Sequence, residues 1–268
     1  MSSLKHISTK SYGQDTCYVL HSSKGLPVLS ANKLLRDKYT GNLVRKIGVS
    51  LSSGCLIGCI YCFTRRMNRF APLSSEEIVD QVKFILEKHP VEDNVDEVKI
   101  SMKQMGDPLL NQENTLSAIR ELHEMYPSFN FVVSTSGYND PSFFDHLNLL
   151  VDSGINIRLQ FSCHTTSDEE RNKLHPEMDM MKFSEIAEIV RRWRGDRVTL
   201  NFVLFGGLSY DFEEITKLFP GGKVFIKLNY VDPNEQTKAH GLVDVRPREL
   251  LKIKEALKAT GLTNACRH

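Results

Sequence analysis

Three of the six cysteines fall within Ser52-Ser53-Gly54-Cys55-Leu56-Ile57-Gly58-Cys59-Ile60-Tyr61-Cys62, with three and then two residues between them. Structural zinc sites and electron-transfer clusters take four protein ligands, and no fourth cysteine lies nearby in the sequence. Three thiolates on a 4Fe-4S cluster leave one iron without a protein ligand, where a small chelating molecule can bind and accept an electron. The spacing therefore predicts a catalytic cluster on Cys55, Cys59 and Cys62, with the bulky Tyr61 just before the last ligand. A zinc knuckle would need its fourth ligand from afar, such as Cys17, Cys163 or a histidine. A disulfide framework is opposed by the crowding of these cysteines and by the lack of a secretory pattern.

The elements that must position this loop follow a strand-then-helix grammar. Leu43 to Ser50 reads as a strand running into the cysteines, and Ser74-Ser75-Glu76-Glu77 opens an amphipathic helix that ends near Pro90. Strands are predicted at Glu97 to Met102, Asn130 to Ser134, Ile155 to Ser162, Val198 to Phe205 and Lys223 to Tyr230. Helices are predicted at Glu113 to Met125, after Pro141, at Phe183 to Arg194, around Phe212 to Leu218 and at Pro247 to Ala259. Residues 1–43 read as a basic, hairpin-like extension broken at Ser22-Ser23-Lys24-Gly25, with Cys17 a small packed residue. Residues 44–268 form the core.

In parallel α/β barrels, chemistry gathers at the C-terminal ends of strands. That rule selects Met105-Gly106-Asp107-Pro108, the polar run Ser134-Thr135-Ser136-Gly137, Ser162-Cys163-His164, and the loop from Asn229 through Asp232 to Asn234. Arg65, Arg66 and Arg69 can grip a phosphate or carboxylate, or serve as surface charge. His164 can exchange protons or be a hydrogen-bonded structural histidine.

The composition is ordinary for a soluble globular chain, at 41% hydrophobic and 25% charged, with a net charge of +1. No apolar run reaches a membrane span, and the expected location is cytoplasmic, where thiolates stay reduced. Before Cys55, eight basic residues (Lys5, Lys10, Lys24, Lys33, Arg36, Lys38, Arg45, Lys46) face two acids (Asp15, Asp37), leaving that segment at +6. Such an arm can approach phosphates, or simply be a solvated face.

The cysteine spacing with an aromatic before its last member resembles the radical S-adenosylmethionine (SAM) superfamily. This resemblance implies a partial (β/α)6 barrel, with SAM's amino and carboxylate groups on the open iron. Met105-Gly106-Asp107-Pro108-Leu109-Leu110-Asn111, Val133-Ser134-Thr135-Ser136-Gly137, Ser162-Cys163-His164 with Arg171-Asn172-Lys173-Leu174 and Pro176, and Asn68-Arg69 ahead of Glu77-Ile78 further resemble RlmN/Cfr-type rRNA adenine methyltransferases. That likeness implies that the loop of Met105, Gly106 and Asp107 positions SAM's amino group, with Asp107 where the family has Glu. It also implies that Ser134, Ser136 and Ser162 line the SAM site and that Asn229 lies by the adenosyl part. The likeness departs at Gly48, where the family has a cysteine, and in lacking the Cys-Gly-Gln-Leu segment that carries the methyl group; Cys266 is a candidate displaced carrier on a mobile tail. The implied activity is reductive SAM cleavage to a 5'-deoxyadenosyl radical that attacks a C–H bond of a small-molecule or nucleotide substrate. The electron donor would be a flavodoxin or ferredoxin. RNA methylation with altered cysteine usage and a non-catalytic iron-sulfur or zinc protein are the alternatives.

Overall fold

The computed structural model describes all residues except 1–3, 14, 38–39, 68, 139, 220–221, 262–263 and 267–268, and describes 264–266 in backbone only. Lys38, Asn68, Arg267 and His268 thus lie outside the described residues, and the side chain of Cys266 does too. The chain divides into two compact units. One comprises Met1–Leu56, Met67–Ser134 and Leu149–Ile157, and the other Ile57–Arg66, Thr135–Asn148 and Arg158–His268.

In the first unit, β1 (Lys5–Tyr12), β2 (Asp15–His21), β3 (Pro27–Arg36) and β4 (Leu43–Val49) form an antiparallel meander. After β4 come the short paired strands β5 (Ser52–Ser53) and β6 (Ala71–Pro72), then α1 (Ser75–Lys88). β7 (Glu97–Met102), α2 (Gln112–Met125) and β8 (Asn130–Thr135) complete this unit, with β7 parallel to both β4 and β8. Helix α1 starts where Ser74 and Glu77 cap each other, and its Ile78, Val79, Val82 and Ile85 are fully buried. Glu77 also accepts the Ser23 amide at 2.8 Å and the Ser23 hydroxyl at 2.9 Å, fastening the predicted β2–β3 turn to the helix. Gln81, fully buried, takes the Ser30 hydroxyl and the Ser50 amide, so α1 covers the meander face that bears Tyr18, Ser30 and Ile47.

The second unit holds most of α3 (Ser142–Asp152), then β9 (Ile157–Ser162), α4 (Asp168–Leu174), α5 (Phe183–Arg192) and β10 (Val198–Val203). α6 (Phe212–Leu218), β11 (Val224–Asn229), α7 (Glu235–Ala239), α8 (Pro247–Ala259) and β12 (Asn264–Cys266) follow. β9, β10, β11 and β12 run parallel in that order. Phe143, Phe144, Leu147 and Leu150 of α3 are buried, as the pattern after Pro141 predicts. Among the described residues, no helix is long and apolar enough to cross a membrane.

Four expectations need correction. The N-terminal segment has three strands rather than a hairpin. Cys17 is only half-buried, because it points to the face of β2 opposite the buried Thr16, Tyr18 and Leu20. Trp193 ends α5 rather than lying within it. The C-terminal segment is not a loose tail, since Cys266 is paired in backbone register with Leu228.

Candidate active site

The loop that leaves β4 is fastened, in the first unit, to the loop that leaves β7. Leu51 donates its amide to Met105 O at 2.8 Å, and the Asn111 side chain donates to both Leu51 O and Leu73 O at 2.8 Å. Gly106 lies against Ser52. Its φ of 84° is a left-handed conformation that strains any L side chain, and a Cβ there would sit 2.1 Å from the Ser52 hydroxyl oxygen. That hydroxyl donates to Gly54 O at 2.7 Å, one residue before Cys55. Asp107 is buried and caps the 3-10 turn Pro108–Leu110 by accepting the Leu109 amide at 3.1 Å. Met105 is buried, as is Ser134 at the end of β8.

Gly48 has a separate reason to be glycine. The side chain of Gln104 lies over it, so that a Cβ at position 48 would meet Gln104 Cγ and Cδ at 2.9 Å. A larger residue at position 48 would have to displace the Gln104 side chain.

In the second unit, the Cys59–Cys62 segment is turned by a Cys62 N–H to Cys59 O bond of 3.1 Å. It is anchored by Ile60 N–H to Leu174 O (3.0 Å) and by the Asn234 amide to Tyr61 O (3.1 Å). The Tyr61 hydroxyl donates to His175 Nε2 at 3.0 Å, and His175 Nδ1 donates to Arg171 O at 2.8 Å, which sets the imidazole's tautomer. Burial drives the Tyr61 phenol well above its usual pKa, and the adjoining Cys59 and Cys62 thiols push the same way. Burial likewise lowers His175 to about 4. Arg171, fully buried, stacks 5.0 Å from the Phe183 ring and donates to Ser136 O (2.8 Å) and to Met181 O. It thereby holds the Ser136-Gly137 turn in place.

Ser162 is directly opposite Asn201 in register, and the Asn229 amide donates to Asn201 Oδ1 at 2.6 Å. Three half-buried polar side chains thus share one face at the ends of β9, β10 and β11. The role of Asn201 was missed in the sequence, although its place in the alternation Thr199, Asn201 against Val198, Leu200, Phe202 signals a polar inward face. His164 is buried at φ 66° and accepts the Val203 amide on Nδ1 at 3.0 Å. Its pKa is well below the usual value, by burial first and by His175 and Arg171 second, so it is a neutral, hydrogen-bonded residue. Cys163 is a packed thiol, pushed up to about 12 by burial. Arg65 pairs with Glu177 at 2.9 Å and Arg66 with Glu235, while Arg69 is exposed.

Cys55 and Cys62 are half-buried and Cys59 is buried. The donor set suits an iron-sulfur cluster by its chemistry, being thiols alone. Because each cluster ligand binds a different iron, cluster thiols need not converge on one point, and no three His, Cys, Asp or Glu side chains among the described residues do so.

Residues 49–219 match the family model of the Radical SAM superfamily, and the chain belongs to that superfamily. It is a radical SAM enzyme, whose cofactors are a 4Fe-4S cluster and S-adenosylmethionine and whose chemistry draws an electron from a reductant. It is similar to the dual-specificity RNA methyltransferase RlmN of Campylobacter hominis, 28% identical over 267 residues covering 92% of this chain and 71% of that one. A probable RlmN of Thermotoga maritima is 29% identical over 224 residues, and there the chain spans only 62% of its relative's length. A radical SAM methyltransferase structure from Sphaerobacter thermophilus superposes with a TM-score of 0.80 over 100% of this chain and 77% of that one, at 23% identity. That likeness defines the fold: α/β, a partial (β/α)6 barrel of the radical SAM type.

Proposed function

We propose that Cys55, Cys59 and Cys62 hold the cluster and that the enzyme modifies a C–H bond of a nucleotide-type substrate. When bound, the cluster and SAM supply a 5'-deoxyadenosyl radical by one-electron reductive cleavage, with a flavodoxin or ferredoxin as reductant in the cytoplasm. The observation that carries this reading is the fastening of the loop from Met105 to Asn111 onto the start of the cysteine loop through Leu51, Ser52 and Asn111. A loop merely surrounding a metal knuckle has no need of that brace. The loop of Met105, Gly106 and Asp107 would position SAM's amino group, with Gly106 letting that loop pack against Ser52 at the start of the cysteine loop. Ser134, Ser136 and Ser162 line the cofactor, and Asn229, oriented by Asn201, lies by the adenosyl part. Tyr61 is held by His175 on one side and Asn234 on the other, which fixes the backbone between the second and third cysteines.

A nucleotide-type substrate is supported by the RNA methyltransferase relatives. A methyl transfer of their kind with altered cysteine usage is the second reading. With glycine at position 48, a transfer of that kind would have to use other cysteines of this chain. The test is anaerobic: reconstitute with iron and sulfide, add SAM and dithionite, and quantify 5'-deoxyadenosine with nucleotides or RNA present. Product from the wild type but not from Cys59→Ala supports the reading. A chain that takes up neither cluster nor SAM refutes the site assignment.

A further inference from the structure

Helix α8 and its cap carry a charge imbalance that the radical chemistry does not use. From Arg246 to Lys258, the cations Arg246, Arg248, Lys252, Lys254 and Lys258 meet only Glu249 and Glu255, so this stretch is +3 in a chain of +1. Among the described residues, none of these five cations forms an ion pair or a side-chain hydrogen bond. Ile253 and Leu257 are buried, whereas Arg248, Leu251, Lys252, Glu255 and Lys258 are exposed, Leu251 to 59%. Arg248 and Lys252 are four residues apart, as are Lys254 and Lys258. Like charges at that spacing destabilise a helix, so the arrangement costs folding energy and returns nothing within the chain.

The helix starts at the end of the strands where the candidate site lies. Gly206 donates its amide to Val243 O at 2.8 Å, and Val231 donates its amide to Asp244 Oδ1 at 2.7 Å. These bonds pin Val243-Asp244 across the C-terminal ends of β10 and β11, and Arg246 follows two residues later. Tyr230 comes directly after Asn229 at the same end. It is 37% exposed, and its side chain makes no hydrogen bond or ring contact among the described residues. Of the nearby acids, Asp244 is engaged by the Val231 amide and Glu235 by Arg66, which leaves Asp232, Glu249 and Glu255 against the five cations and the exposed Lys238.

An aromatic ring beside the strand ends and a line of cations leading away from it are the two parts of a single-strand site, where bases stack and the backbone is tracked by charge. The cations extend over about 18 Å at 1.5 Å per residue. The phosphates of a mononucleotide are held together on one ribose and meet one end of that line, whereas a strand can follow it. We propose that the substrate is an RNA strand, with its backbone on Arg248 and Lys252 along the exposed face of α8 and a base beside the target stacked on Tyr230. The proposal rests on the nucleotide reading above and narrows its substrate class.

The test measures binding to the anaerobically reconstituted holoenzyme over a series of KCl concentrations. The probes are a short fluorescein-labelled single-stranded RNA and, separately, ATP. Arg248→Ala, Lys252→Ala and Tyr230→Ala are compared with wild type and with Arg197→Ala, an exposed residue at the opposite end of β10, and melting curves check each fold. Loss of one phosphate contact lowers the slope of log affinity against log salt by about 0.7 and weakens RNA binding about three- to tenfold. Loss of the stacked base weakens it about fivefold or more and leaves the slope unchanged. The first result for Arg248→Ala and Lys252→Ala and the second for Tyr230→Ala, with Arg197→Ala unchanged, support the site. Wild-type affinity in Tyr230→Ala overturns the stacking contact. Wild-type affinity and slope in both α8 variants, or ATP bound as tightly as the RNA, overturn the strand and leave the nucleotide reading standing. If neither probe binds the wild type, both fall, while 5'-deoxyadenosine formation still reports the radical chemistry.

Discussion

The contact between Gly106 and Ser52 makes a quantitative prediction through a double-mutant cycle. Gly106→Ala puts a side chain at φ 84°, which costs about 1–2 kcal/mol for a non-glycine residue. Its Cβ also lands 2.1 Å from the Ser52 hydroxyl oxygen, which must rotate away and give up its bond to Gly54 O. Losing that bond and crowding a buried site adds about 1–2 kcal/mol, for a total near 2–4 kcal/mol. Ser52→Ala alone costs about 1 kcal/mol for the lost hydrogen bond. With the hydroxyl already gone, the nearest remaining Ser52 atoms lie at 3.1 and 3.2 Å, tight but tolerable. The double variant should therefore be about 1–2 kcal/mol more stable than the sum of the two singles. Thermal melting measures this, at roughly 2 °C per kcal/mol for a chain of this length. Additivity within about 0.5 kcal/mol would refute the packing of these two loops on each other.

Other outcomes follow from the same geometry. Burial alone would raise Glu77 and Glu170, but hydrogen bonds outweigh it and hold both below the usual carboxylate value, from Ser74 and Ser23 for Glu77 and from Thr165 and Ser209 for Glu170. A depressed folded pKa stabilises above the unfolded value and is lost as pH falls through the folded one. Denaturant titrations of Glu77→Gln and Glu170→Gln should accordingly lose less stability than wild type between about pH 5 and 3. Gly48→Cys should lower the melting point through a collision worth about 1–3 kcal/mol, largely relieved by adding Gln104→Ala. Equal melting of the single and double variants would count against it. Tyr61→Phe leaves His175 Nε2 without its donor, so it should cost about 1–2 kcal/mol and reduce the iron retained after reconstitution, read by iron and sulfide content.

Local patterning made most of the fold legible. Glu97 to Met102, Phe212 to Leu218 and Pro247 to Ala259 begin and end where capping and periodicity place them. The missed elements carry weak local signals: β1 is exposed on both faces, and α4 and α7 are too short for an apolar stripe. Within the candidate site, the cysteine loop and the strand-end motifs stand out because their chemistry is contiguous in sequence. His175 meets Tyr61 across 114 residues, and Arg171 reaches back to Ser136 across 35, so neither role is readable from a segment.

The Asn111 amide has a consequence for assembly. Leu51 and Leu73 are bonded to each other at 3.0 Å as well as to this one side chain, so the chain between them is a loop whose ends are already joined. The entropy of bringing those ends together is spent during folding, not when iron and sulfide arrive. Oxidative loss of the metal should then leave the base of the loop standing, with the Leu73 amide still slow to exchange its hydrogen. A damaged enzyme would keep a receptacle ready to be refilled without refolding the protein around it.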